Sequence, residues 1–213
     1  TRIIMKHIYL VRHGESEGNV GLYRQGPQSP LTEKGREQAR VIAERFRHVP
    51  LDGFVSSTMT RAHETAEIIS AVIGKPFDRS ELFIERLRPS AQYGMPKKSP
   101  ESAAIDKILL ENYADPDFRF ADEENFKDLD ERAQKSLDFF LEHPGEHILV
   151  ITHGLFMRVL VGKVIFGDQL TGKLCDGLFR AMKTHNTGLS IFVHDQEKGG
   201  WVVRSWNDHS HLE

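Results

Sequence analysis

Across 213 residues the chain carries 28 Lys and Arg against 31 Asp and Glu, a net charge of −3, with 39% hydrophobic residues and one cysteine. That length suits one domain with a sizeable core, and the missing basic excess speaks against a nucleic-acid partner. The single Cys175 excludes an internal disulfide framework and fits a reducing, cytoplasmic setting. The longest apolar-rich stretch, Leu155 to Phe166, is broken by Arg158, Gly162 and Lys163 and is too short to span a bilayer, so no membrane association is expected. Thr1 to Lys6 lacks the apolar core of a signal peptide.

Ile8 to Val11 reads as a buried strand that breaks abruptly into Arg12-His13-Gly14-Glu15-Ser16-Glu17-Gly18-Asn19. A loop of turn formers follows, and Thr32 caps a helix whose apolar positions are Ala39, Ile42, Ala43 and Phe46. Gly35 in its first turn points to close packing against a neighbour. A second strand, Gly53 to Ser57, leads into a helix that carries Arg61 in its first turn and stops at Gly74 and Pro76. An arginine at a helix N-terminus opposes the macrodipole unless an anion is the intended neighbour.

Phe77 to Ile84 contains a short extended piece, followed by Glu85-Arg86-Leu87-Arg88-Pro89. From Ser90 to about Phe126 the pattern loosens, with only Glu101 to Tyr113 helical, and an inserted cap of about residues 86–126 is expected on a single domain of residues 1–213. Its acidic residues Asp115, Asp117, Asp122, Glu123 and Glu124 read as a solvated face. Leu129, Ala133, Leu137 and Phe140 mark an amphipathic helix ending at His143-Pro144-Gly145. Ile148 to Thr152 is a third buried strand, ending in His153-Gly154 before an apolar helix to Phe166. Thr187 to Val193 and Trp201 to Trp206 flank Lys198-Gly199-Gly200 as an antiparallel hairpin at the sheet edge. Alternating strands and helices give an α/β fold: a mostly parallel sheet with helices on both faces.

Carboxyl ends of parallel strands share one side of a sheet, where ligands bind. Arg12, His13, Arg61 and His153 therefore converge, and two arginines with two histidines suit a dianion such as a phosphoryl group. Each cation–anion pair at about 4 Å is worth roughly 4 kcal/mol at an effective dielectric near 20, before desolvation. A metal held by His13, His153 and Glu85 is the rival, but the arginines beside it would repel a cation.

These motifs identify the sequence as a member of the histidine phosphatase superfamily, in the branch with cofactor-dependent phosphoglycerate mutases. Arg12-His13-Gly14-Glu15-Ser16 with Asn19 resembles its nucleophile motif, and Leu31-Thr32 with Gly35, Gln38 and Ala39 the helix that follows. Ser57 to Thr65 resembles its second arginine motif, and Thr152-His153-Gly154 its second histidine motif. The resemblance implies that His13 is a nucleophile forming a phosphohistidine, with Arg12, Arg61 and His153 as the phosphate pocket. Asn19 and Gly154 complete that pocket, and Glu85 is similar to the family's general acid, with Glu81 and Glu101 as neighbouring candidates. Gly14 would let the backbone approach the phosphate. No metal or cofactor is implied, and the partner is a small phosphorylated substrate; oligomeric state is left open.

Mutases of this family carry an Arg-His-Tyr-Gly run after the acid and a paired arginine later in the cap. Here Arg86-Leu87-Arg88-Pro89-Ser90 follows Glu85, and no arginine pair occurs later. Lys97-Lys98 reads as a solvated loop pair rather than a substitute. The expected activity is therefore phosphomonoester hydrolysis, with mutase-type transfer and a non-catalytic phospho-ligand module as alternatives.

Overall fold

The apolar run near the start of the chain forms β1 (Met5–Arg12), whose side chains alternate between two cores. Ile8 and Leu10 enter one core and Val11 the other, all three fully buried. The remaining strands are β2 (Gly53–Ser57), β3 (Asp78–Ser80), β4 (His147–Thr152), β5 (Leu189–Asp195) and β6 (Gly200–Asp208). In this computed structural model, which describes residues 5–24, 26–195, 197 and 199–213, they form one sheet in the order β3-β2-β4-β1-β5-β6. The first four of that order are parallel, whereas β5 pairs antiparallel with β1 and β6 with β5. The expected edge hairpin is thus present. Lys198 of its turn, like Thr1 to Ile4 of the amino-terminal stretch, lies outside the described residues.

Helices cover both faces of the sheet. On one, α2 (Glu33–Glu44) and α3 (Thr60–Ile73), introduced by the short α1 (Glu17–Val20), bury Ile42, Ala43, Ala62, Ala66 and Ile69 against Phe54, Leu149 and Ile151. Thr32 caps α2 by accepting from Gly35 N, and Gly74 ends α3 with φ of 69°. On the other face, α5 (Phe126–Glu142) and α6 (Gly154–Phe166) bury Leu129, Phe140, Phe156 and Leu160. Lys163 of α6 reaches that core only because Asp130 and Asp168 pair with it, at 3.2 and 3.3 Å. Among the described residues, no helix is long and apolar enough to cross a membrane.

Between β3 and α5 the chain forms α4 (Pro100–Glu111) and short 3-10 turns at Glu81–Phe83 and Ser90–Gln92. Two sequence expectations hold only in part: Asp115, Asp117, Asp122 and Lys98 are exposed, whereas their neighbours satisfy backbone inside a loop-rich segment. Glu123 is buried, accepting from Phe120 N and Ala121 N, and Glu124 is bound by Arg132, so neither lies on a solvated face. Lys97 likewise donates to Gly18 O at 2.8 Å and Asn19 O at 3.4 Å, tying this segment to α1. A further helix, α7 (Gly172–Ala181), had no sequence assignment.

Candidate active site

The carboxyl ends of β1, β4 and β2 are neighbours, with Arg12 opposite Thr152 in register. His13 follows β1 and is 2% exposed; His153 follows β4 and is fully buried. Their rings stand 5.0 Å apart, centre to centre. Arg61, in the first turn of α3, places Nε 3.2 Å from His13 Nε2. On its other side, His13 Nδ1 meets Gly14 O at 2.7 Å.

Those two contacts fix the tautomer. A carbonyl only accepts, so Nδ1 carries the hydrogen; the guanidinium only donates, so Nε2 presents its lone pair. Burial, then the charges of Arg61 and Arg12, hold the His13 pKa well below the ordinary histidine value, so the ring is neutral. Burial, Arg61 and His13 do the same to His153. His153 Nε2 contacts Ser57 Oγ at 2.8 Å, while its buried Nδ1 has no hydrogen-bond partner among the described residues.

Arg12 donates Nη1 to Thr184 O at 2.6 Å, and its buried Nε has no partner among the described residues. Burial lowers the pKa of both arginines, opposed mainly by the charge of Glu85. Two crowded guanidinium groups and an unsatisfied imidazole nitrogen around a neutral nucleophile make a site electrostatically incomplete without an anion. Among the described residues, no group of three or more His, Cys, Asp or Glu side chains is placed to hold a metal ion.

Glu85 joins this site; Glu81 and Glu101 are exposed elsewhere. The Glu85 carboxylate accepts from Phe156 N at 3.0 Å, Leu155 N at 3.2 Å and Arg86 N at 3.1 Å, which seats it on the N-terminus of α6. Arg132 of α5 braces that position. It donates to Leu82 O and Ile84 O at 3.0 and 2.9 Å, forks onto Glu124 at 2.7 Å twice, and lies 3.9 Å above the Phe156 ring. Glu124 in turn accepts from Leu87 N, so the backbone is held on both sides of Glu85.

Asn19 sits exposed on α1, with Oδ1 accepting from Ser16 N and from Asn186 Nδ2. Its amide nitrogen is the end left to donate. Gly14 and Gly154 are both constrained to glycine by packing. A Cβ on Gly14 would strike Gly35 O, and one on Gly154 would strike Thr184 Oγ1 and crowd the Arg12 guanidinium. Gly14 N is also already committed to Thr65 Oγ1.

Arg132 and residues 184–186 had no sequence assignment, and Thr187, expected to open a hairpin strand, lies in the turn before β5. Asn186 Nδ2 holds His13 O at 3.0 Å, and Thr187, at φ 56°, donates its amide to Arg12 O. A β-branched residue at positive φ is strained, and buried Thr187 is held there by Oγ1 contacts to Asn186 O and His211 Nε2. Arg158, whose Nε donates to Met182 O at 2.6 Å, left a signal as one of two cations in an otherwise apolar helix.

The sequence model of the histidine phosphatase superfamily (branch 1) matches residues 8–209. The chain belongs to that superfamily. It is 31% identical over 218 residues to the probable phosphoglycerate mutase GpmB of Salmonella arizonae, covering 98% of this chain and 96% of the relative. Among solved structures, Bacillus stearothermophilus YhfR matches with a TM-score of 0.79 and 30% identity over 98% of this chain and 100% of that chain. Phosphoserine phosphatase from Entamoeba histolytica, in complex with 3-phosphoglyceric acid, shares the fold at a TM-score of 0.76 and 21% identity, covering 98% and 100%.

Proposed function

We propose that this histidine phosphatase hydrolyses a small phosphomonoester through a phosphohistidine on His13. The carrying observation is the neutral His13, whose Nε2 lone pair lies 3.2 Å from Arg61 Nε. A phosphoryl group between the arginines would meet that lone pair directly. Attack by Nε2 forms the P–N bond as the bond to the leaving oxygen breaks, and Glu85, carrying a proton, gives it to that oxygen. Water then attacks phosphorus, the Glu85 carboxylate takes its proton, and the P–N electron pair returns to His13. Arg12, Arg61, His153 and the Asn19 amide hold the phosphoryl oxygens throughout, supplying by charge and position what such transfer needs. Gly154 contributes by letting Arg12 lie close.

Mutase-type transfer is the second reading, supported by the similarity to the probable phosphoglycerate mutase of Salmonella arizonae. Hydrolysis is favoured because the Arg-His-Tyr-Gly run and the later paired arginine of the mutases are missing after Glu85, and Lys97 is spent on the carbonyls of α1. The discriminating experiment is phosphate release from a panel of phosphorylated metabolites, with and without a bisphosphoglycerate. Release independent of that compound supports the phosphatase. Isomerisation that requires it supports the mutase, and neither activity would leave a phospho-ligand module. Residues 86–126 are proposed to form the cap that selects the substrate, on a single domain of residues 1–213. The partner is thus a phosphorylated metabolite in a cytoplasmic setting.

A further inference from the structure

A cavity of about 220 Å³ is walled by Leu155, Phe179, Leu109, Leu110 and Tyr113, with Arg86 and Arg88 among the polar members. Leu155 and Arg86 are also two of the residues whose amides bind the Glu85 carboxylate. If Glu85 protonates the leaving oxygen, the rest of the leaving alcohol must extend from that carboxylate, and this cavity shares Leu155 and Arg86 with the residues that seat it.

The walls differ in chemistry. Leucines from α4 and α6, with aromatic rings from the α4 end and α7, make most of the surface apolar. An apolar cavity of about 150 Å³ accommodates one benzene ring, so this one has room for a ring-sized body and a small substituent. The guanidinium of Arg86 lies 4.9 Å from the centre of the Tyr113 ring and donates Nε to Glu124 O. Its two terminal nitrogens have no hydrogen-bond or ion-pair partner among the described residues. The carboxylates lining the cavity do not neutralise it, since Asp106 is shared by Arg24 and Arg88 and Asp176 is paired with Arg180.

We infer that this cavity binds the leaving alcohol, and that the preferred substrate is a phosphomonoester with an apolar, ring-sized body and a carboxylate that reaches Arg86. The inference rests on the hydrolase reading for its location. It departs from small polar phosphoacids, which would leave the leucine and aromatic walls without contacts.

Three synthetic esters test it: 4-(phosphonooxymethyl)benzoate, its methyl ester, and benzyl phosphate. In the wild type, kcat/KM for the acid should exceed that for its methyl ester by about 10-fold or more, the scale of one charge-assisted hydrogen bond. Benzyl phosphate should exceed glycerol phosphate by a similar factor. Arg86→Gln should collapse the acid-over-ester preference, read as the ratio of the two kcat/KM values within the variant, and Arg86→Lys should retain part of it. Equal handling of acid and methyl ester by an enzyme that hydrolyses both would overturn the subsite and leave hydrolysis standing. Binding of the non-hydrolysable 4-carboxybenzylphosphonate, measured by calorimetry, separates the other failure. Arg86-dependent binding without turnover of any ester would retain the subsite and remove the hydrolase. Binding indifferent to Arg86→Gln would overturn the subsite by itself.

Discussion

Arg61 Nε points at His13 Nε2 across 3.2 Å, so the cation that awaits the phosphoryl group also orients the atom proposed to attack it. A lysine could supply the charge but not the planar fork that spans imidazole and phosphate together. Arg61→Lys is therefore expected to retain phosphate or vanadate binding within about 10-fold while kcat falls by about 10²-fold or more, the cost of misorienting a reacting group. Equal losses in kcat and in anion affinity would reduce Arg61 to a ground-state ligand. His13→Ala should remove both turnover and the acid-labile phosphoryl label seen after rapid quench.

Stability should depend on pH through the two buried histidines. Both have folded-state pKa values well below the usual range, so each stays neutral when folded and binds a proton when unfolded below about pH 6.5. The unfolded state then holds more protons, and stability falls as pH drops, by up to about 1.4 kcal/mol per pH unit for each histidine. Denaturant titrations from pH 7 to 5 should show a shallower fall in His153→Gln than in the wild type. Bound phosphate should flatten the wild-type slope, since an anion favours the protonated rings. Parallel slopes in wild type and variant would show that His153 does not take up that proton.

Gly35 offers a stability prediction remote from the phosphate. A Cβ there would overlap Glu15 O and the Glu15 amide, backbone atoms two residues beyond His13. Gly35→Ala is expected to cost about 3 kcal/mol in chemical denaturation, at the upper end of overpacking effects. It should also lower kcat, because the loop it displaces carries the proposed nucleophile.

Much of this arrangement was legible in sequence for a physical reason. Ile8 to Val11, Gly53 to Ser57 and Ile148 to Thr152 are uninterrupted apolar or small-residue runs that end in functional groups, and parallel pairing alone brings those ends together. Thr32 and Gly74 marked helix ends through cap chemistry, which is local. Glu123, Lys97 and Arg132 were not legible, because each is satisfied by backbone atoms of loops whose path no periodicity encodes. A glycine such as Gly14 announces close approach but not what approaches, here Gly35 O.

Arg132 tests whether Glu85 depends on its brace. Arg132 and Glu124 are nearly buried, so removing one partner leaves an uncompensated charge worth about 3–5 kcal/mol of stability. The double variant Arg132→Met with Glu124→Gln avoids that and keeps the shape. Its phosphorylation rate with alkyl phosphates should drop by about 10-fold or more, while that with p-nitrophenyl phosphate stays near wild type, following the loss of a positioned acid. Equal effects on both substrates would make the pair purely structural.

The acid itself is tested by leaving-group dependence. An alkoxide leaves poorly and needs a proton as the P–O bond breaks, a service general acids supply at about 10²–10⁴-fold. A nitrophenolate leaves largely unaided. In this structure Glu85 is held by the Leu155, Phe156 and Arg86 amides, and a glutamine carbonyl can accept from the same donors. Glu85→Gln should therefore preserve the local backbone while removing the proton. Phosphoenzyme formation from alkyl phosphates is expected to slow within that range, and from p-nitrophenyl phosphate much less. The second step should slow for both, because the same carboxylate is proposed to activate water. Steady-state turnover mixes the two steps, so the burst must be measured. Equal losses in the burst for both substrates would remove Glu85 as the proton donor. Glu81 and Glu101, both exposed, could not replace it without movement of their segments.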